Sequence, residues 1–379
     1  MPFLYEILLN EFGKRTISEI EIPLSIKDNL KPGFGERSYQ TEAFQRFILF
    51  YNEAFERKGL KPYHLLYNMA TGSGKTLIMA GLILYLYEKG YRSFLFFVNS
   101  NNIIQKTKDN FLNQQAMKYL FNNKIIIDGK EVFIKEIDNF GEADDQNINI
   151  KFVSIQMLTS GLLTNVRENG LSFEDFEERK LVLIGDEAHH NNAEVWGDVV
   201  ERIHKGNIDN VLLEFTATLD YEERDIVEKY RNKVIFKYDL SHFRLDGFSK
   251  EINLIRSYYE EEERIVQALI LNLYRQELAT DNNINLKPVI LFKAKKTIKE
   301  SEENKERFHK LIERLSEKHI ENLQSTSTLP IIQKAFTYFE SKNISHQVIV
   351  DRIKSHFKEE NCISANNDAE TELNQIRLN

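Results

Sequence analysis

A single cysteine, Cys362, stands among 379 residues, so no intrachain disulfide and no cysteine-built zinc site can form, and the chain fits a reducing cytoplasm. No apolar run reaches the roughly 18 residues that span a bilayer. The best candidate, Leu77 to Leu86, continues straight into Glu88 and Lys89. The opening stretch MPFLYEILLNEFGKR is apolar but carries Glu6 and Glu11, and it lacks the basic start and small-residue cleavage site of a secretory signal. No internal repeat and no low-complexity linker is visible. Net positive charge is also lacking: 50 Lys and Arg are outnumbered by 58 Asp and Glu, and the resulting −8 argues against strong, indiscriminate nucleic-acid binding, which comes from counterions released by Lys and Arg contacts. A local basic groove remains compatible with it. These absences describe a soluble, cytoplasmic protein with no membrane partner.

What is present is an ordinary globular composition, 42% apolar and 28% charged, with material for two cores. From Tyr63 to Asp239 short apolar runs alternate with longer stretches of helical period, the pattern of a parallel sheet covered by helices. The expected strands are residues 64–69, 93–99, 150–155, 181–186, 211–216 and 234–239, β-rich and continuously apolar as central strands buried on both faces should be. A helix beginning near Lys75 stops at Gly90, and another is expected from Asn101 to Phe121. Asp128-Gly129, between alternating apolar residues, reads as the turn of an inserted hairpin. After Ser241 the pattern loosens, then an amphipathic helix runs from about Glu260 to Ala279. New strands are expected at 288–294 and near 362–366. The chain thus divides into an N-terminal extension (1–32), a first α/β domain (33–245), a connecting segment (246–286) and a partial second domain (287–379).

The strongest local signal is MATGSGKT, with Gly72, Ser73, Gly74, Lys75 and Thr76 between an expected strand and an expected helix. Glycines are needed there because backbone N–H groups must turn inward around phosphate oxygens, and a Cβ would obstruct both the turn and the approach. The helix start adds its positive dipole end. Lys75 is placed to neutralise the outer phosphates of ATP, and the Thr76 hydroxyl to complete the shell of a Mg2+ ion. The first position of the usual pattern departs from glycine, since Met69 or Ala70 stands there.

A phosphate loop leaves the kind of nucleotide hydrolase open, and GDEAHH narrows it. Asp186 and Glu187 follow an apolar strand, where side chains emerge at the carboxyl edge of a parallel sheet. Asp186 suits the metal and Glu187 the attacking water. The neighbouring His189 and His190 do not converge easily on one ion, so no zinc is assigned; His189 is expected to touch the next element and His190 to support it or face solvent. That element is Thr216-Ala217-Thr218, whose hydroxyls on a strand-end loop can link the phosphate state to domain closure.

With MATGSGKT, GDEAHH and TAT in that order, the chain resembles a superfamily-two DEAD/DEAH-box helicase or translocase. The resemblance implies a RecA-like parallel sheet with helices on both faces, of the P-loop NTPase type, followed by an incomplete second RecA-like domain. Tyr39 and Gln40 in RSYQTEAFQRF are similar to the family's adenine-recognising element. VNSNNIIQKTKDNF and VSIQMLTSG lie where such proteins track a nucleic-acid backbone, making Lys106, Lys108, Ser154, Gln156 and Thr159 candidate phosphate contacts. DEAHH, FTATLDY and PVILFKAKKTIKESEENKERFHKLIERLS look most like the restriction (Res) subunit of type III restriction-modification enzymes, over about Arg37 to Asn367. That likeness implies an ATP-dependent DNA motor module of a restriction or phage-defence system, acting on DNA, in the company of a methyltransferase or specificity subunit. The family's later arginine segment is not found before Asn379, so this chain is expected to bind nucleotide and hydrolyse it poorly. A non-hydrolysing nucleotide-dependent DNA-binding or regulatory subunit, and an RNA helicase, remain alternatives.

Overall fold

The computed structural model describes residues 2–32, 37–56, 58–98, 101–154, 157, 176, 179–186, 194–249, 254–294 and 297–363, with the side chains of 101, 102 and 194–197 outside that description. Two compact units divide the chain, Met1–Glu251 and Ile252–Asn379.

In the first unit the apolar runs become strands β1 (Tyr63–Met69), β2 (Ser93–Val98), β3 (Ile125–Ile127), β4 (Lys130–Val132), β5 (Ile134–Glu136), β6 (Ile148–Ser154), β7 (Leu181–Asp186), β8 (Val211–Thr216) and β9 (Val234–Tyr238). Seven of them form one sheet in the order β5-β6-β2-β7-β8-β1-β9, every neighbouring pair parallel. Parallel strands need long crossovers, which helices supply. They are α1 (Leu4–Glu19), α2 (Leu24–Lys27), α3 (Ser38–Asn52), α4 (Lys75–Glu88), α5 (Asn101–Phe111), α6 (Glu194–Lys205), α7 (Arg224–Tyr230) and α8 (Leu240–Leu245).

Successive strand residues point to opposite faces, so a strand covered on both sides must be apolar throughout. On one face Tyr67, Phe96, Ile184 and Phe215 join the core built with α1, α3, α4 and α5. On the other, Phe97, Leu183 and Leu212 meet Val199, Val200 and Ile203 of α6, and Leu66 meets Tyr230 and Val234. Helix α4 is buried almost all round, which its apolar run from Leu77 to Leu86 requires. The N-terminal helices belong to the same core: Leu4, Leu8, Ile17 and Ile26 are at most 2% exposed within it.

The hairpin expected at Asp128-Gly129 is β3–β4, and both turn residues have left-handed φ, 51° and 74°. The helix expected to run to Phe121 ends at Phe111. Tyr119 and Phe121 instead pack on one another, and Phe121 turns back onto Phe111, their rings lying 5.8 Å apart. That burial outweighs the helical continuation.

The second unit holds α9 (Glu261–Asp281), α10 (Ile298–Arg314), α11 (Glu317–Thr326), α12 (Pro330–Ser341) and α13 (His346–His356), around Leu269, Ile270, Ile320, Ile332, Phe336 and Ile349. Residues 288–294, expected as a strand, form none. A strand needs ladder partners, and among the described residues this segment finds none: Ile290 packs on the unit's core and Phe292 on Phe308, while Val289 and Leu291 stay 83% and 85% exposed. Of the strand expected near 362–366, Cys362 and Ile363 are not in strand and the rest lies outside the described residues.

Candidate nucleotide site

Strand β1 delivers the chain to a tight loop at the carboxyl edge of the sheet. Gly72 and Gly74 adopt φ of 81° and 95°, a region that costs L side chains dearly, and α4 starts immediately after at Lys75. Ser73 is fully buried and braces the loop, its hydroxyl donating to the Ala70 carbonyl at 2.7 Å. Lys75 is 9% exposed, with Nζ 3.5 Å from the Met69 carbonyl. Thr76 is half-buried in the first turn of α4. The loop therefore has the glycine conformations, the helix start and the cation that a phosphate cradle needs.

Helix α3 brings Tyr39 and Gln40 against this loop. The Tyr39 hydroxyl and Gln40 Nε2 both donate to the Ser73 carbonyl, at 2.8 and 2.9 Å. The Tyr39 ring is 4% exposed and already stacks face to face on Tyr238, centroids 3.9 Å apart, with Phe248 at 5.7 Å. Arg37 donates to the Tyr39 hydroxyl at 3.0 Å. Both residues thus hold the loop in this structure. Beside them opens a cavity of about 430 Å³ lined by Tyr5, Ser38, Glu42, Arg46, His242 and Asp246 among others.

Asp186 is the last residue of β7, in register with Phe215 of β8, and β8 in turn pairs with β1. Because the three strands are parallel, Asp186, Thr216 and the phosphate loop all emerge at the same edge. Thr216 is buried, and its hydroxyl donates to the Thr218 carbonyl at 2.9 Å while accepting the Thr218 N–H at 3.2 Å. It closes the turn; Ala217 is half-buried and Thr218 exposed. Glu187, His189 and His190 lie outside the described residues, as do Gln156 and Thr159.

The remaining candidates for nucleic-acid contact separate by exposure. Lys106 on α5 is exposed. Lys108 is half-buried, ion-paired with Glu136 of β5 and 5.7 Å over the Phe152 ring. Ser154 is 2% exposed and accepts the Met157 N–H at 3.3 Å.

Two buried polar features of this unit escaped the reading of the sequence. Asn68 lies 1% exposed in β1, its Oδ1 accepting the Tyr221 hydroxyl at 3.0 Å; an amide inside an apolar strand was the signal. Further down the same sheet face, His64 Nε2 lies 2.5 Å from a Glu214 carboxylate that is 3% exposed. Burial alone would raise the Glu214 pKa, but the His64 charge and hydrogen bond, with Lys229 and Lys233, hold it below the usual value. His204, buried next to His64 and donating to the Tyr63 carbonyl at 3.0 Å, is pushed down to about 4, chiefly by burial and then by the His64 charge.

Residues 34–221 match the family model described as type III restriction enzyme, res subunit. The chain is 39% identical to the probable type III restriction-modification enzyme HindVIP Res subunit of Haemophilus influenzae, across 77% of this chain and 64% of that protein. It therefore spans just under two thirds of that relative's length. Among solved structures it is similar to the UvsW helicase from bacteriophage T4 (TM-score 0.35, 16% identity, 60% of this chain and 68% of that one). The DUF1998 helicase MrfA bound to DNA and AMPPNP gives a TM-score of 0.39 at 16% identity, over 68% of this chain and 35% of that one. Likenesses this distant carry no functional assignment. Residues 34–221, which hold most of the parallel sheet that presents the loop, Asp186 and Thr216 at one edge, carry the domain described by the type III restriction enzyme Res-subunit family model.

Proposed function

We propose that this chain is the ATP-dependent motor module of a restriction-type enzyme, binding ATP and Mg2+ at the β1–α4 loop and acting on duplex DNA. One observation carries the reading. Two left-handed glycines, a buried serine brace, Lys75 and the start of a 14-residue helix stand at one sheet edge with Asp186.

The backbone N–H groups of the loop and the α4 dipole would receive the phosphates, and Lys75 would neutralise the outer ones. Thr76 and Asp186 are oxygen donors of the kind Mg2+ prefers, and the ion would supply charge neutralisation on the phosphate chain. Glu187 would orient and deprotonate the attacking water, with His189 between it and the Thr216–Thr218 turn. Gln40, and the cavity beside Tyr39, are offered to the base. Lys106 is the described candidate best placed by exposure to touch a DNA phosphate; Lys108, Ser154, Gln156 and Thr159 complete the proposed track. A methyltransferase-type subunit is the partner this reading implies, and co-purification from the native source tests it.

The direct experiment measures ATP binding and hydrolysis by this chain, alone, with duplex DNA and with RNA, beside Lys75→Ala and Glu187→Gln. Losing a charge-assisted contact of about 1.5–3 kcal/mol should weaken ATP binding on the order of 10- to 100-fold in Lys75→Ala. Turnover stimulated by duplex DNA and abolished in both variants supports the motor. Binding without turnover in any sample supports a nucleotide-dependent switch, stimulation by RNA alone an RNA enzyme. ATP binding unchanged in Lys75→Ala removes the proposal.

A further inference from the structure

Asn68 is costly where it stands. A buried amide in a central strand must find partners for its polar atoms or lose stability, and an apolar residue would fill the position without that demand. Its two arms go to one place. Nδ2 reaches toward the Thr216 carbonyl, 3.4 Å away, and Oδ1 accepts the Tyr221 hydroxyl at 3.0 Å. Backbone pairing already sets Asn68 beside Thr216 in the β1–β8 ladder, so the side chain is not needed to align the strands. What it adds is a grip on the loop beyond β8.

Tyr221 is fixed from its other sides. Phe3 meets its ring edge-on at 5.3 Å, and Lys237 of β9 lies 4.1 Å over its face. The hydroxyl is therefore aimed rather than mobile. At the other end, Asn68 precedes Met69, whose carbonyl is the one Lys75 Nζ rests against at 3.5 Å. A continuous path of contacts leads from Lys75 through the last two residues of β1 to the segment after Thr216.

We propose that Asn68 and Tyr221 are positioning residues, a hydrogen-bonded bridge by which occupancy of the phosphate loop is passed to the segment 216–223. The inference rests on the reading of that loop as a nucleotide site. A shift of Lys75 toward bound phosphate alters the hold on the Met69 carbonyl, and the bridge couples that change to the turn closed by Thr216.

The test compares the intact chain with Tyr221→Phe, which removes one hydroxyl and keeps the ring, and with Asn68→Val. Amide hydrogen exchange of residues 216–223 is followed with and without ATP-Mg, alongside the Kd for ATP and the Tm of each protein. Expected is a slowing of exchange by roughly tenfold on adding nucleotide to the unaltered chain, falling to within about twofold in Tyr221→Phe, with Kd unchanged. A merely structural role predicts the opposite pattern, a lower Tm with the nucleotide response intact, and overturns the inference. So does an unaltered chain that binds ATP without protecting 216–223. Should Asn68→Val fail to fold, Tyr221→Phe decides alone. If the unaltered chain does not bind ATP, or binds it equally well as Lys75→Ala, the nucleotide site itself is refuted, an outcome separate from the failure of the bridge alone.

Discussion

Gln40 Nε2 donates to the Ser73 carbonyl at 2.9 Å and lies 2.4 Å from where a Cβ on Gly74 would stand. Helix α3 thus closes directly onto the phosphate loop, and Gly74 needs both its φ of 95° and its missing side chain. Gly74→Ala should abolish ATP binding while leaving the second unit's helices intact by circular dichroism. Gln40→Ala should weaken binding of Mg-tripolyphosphate, which has no base, by about 2- to 10-fold, the worth of one hydrogen bond of about 0.5–1.5 kcal/mol. Calorimetry with both ligands separates the roles. Tripolyphosphate binding untouched while ATP binding weakens would mean that Gln40 only reads the base.

Gly185 sits in the strand that presents Asp186, and a Cβ there would fall 2.5 and 2.8 Å from ring carbons of Phe97. Phe97 is fully buried against α6 residues, so it has no room to yield. Gly185→Ala should cost about 1–3 kcal/mol of stability, as overpacked cores do, measured by urea unfolding. Phe97→Leu added to Gly185→Ala should restore part of that loss. Additive destabilisation in the double variant would remove the steric explanation.

Lys106 and Lys108 are two residues apart, yet only Lys106 is exposed, while Lys108 is committed to Glu136. A phosphate contact contributes about 0.9 to the slope of log affinity against log salt. Lys106→Ala should therefore weaken duplex DNA binding and reduce that slope by about 1, measured by fluorescence anisotropy across a salt series. Lys108→Ala should reduce the slope by less, its cation being already paired with Glu136. Equal slopes in both variants and the unaltered chain would take Lys106 off the DNA path.

Strands at the sheet centre were legible because burial on both faces leaves a continuous apolar run: 181–186 and 211–216 are β7 and β8 to the residue. The short edge strand β5 was not, since three residues, IKE, carry no such pattern. The loop glycines could be read because backbone conformation demands them locally. Tyr39 illustrates what could not be read. Its place beside the loop follows from the motif order, but its stack on Tyr238 depends on a residue about 200 positions away. The segment 288–294 has strand composition, and composition does not supply a ladder partner. Asn68 was visible as an odd amide in an apolar run, but its partner Tyr221 could be found only in three dimensions.

The buried imidazole of His204 makes the first unit sensitive to acid. Unfolded, a histidine takes up its proton near pH 6.5; folded, His204 does so at about 4. Between those values the unfolded chain holds more protons, so stability falls as pH is lowered through the window and the loss is complete below it. The slope is about 1.4 kcal/mol per pH unit, roughly 3 kcal/mol in all. Glu214, its carboxyl held below the usual range by His64, adds stability that is present above its unfolded pKa and disappears at the acid end. Trp196, the chain's one tryptophan, lies in α6 with His204, so its fluorescence in urea titrations at pH 7, 5.5 and 4.5 follows the right unit. His204→Gln keeps a donor for the Tyr63 carbonyl and cannot titrate. It should flatten the pH dependence between about 6.5 and 4 by most of that roughly 3 kcal/mol. Parallel curves for the two proteins would assign the acid sensitivity to groups other than His204.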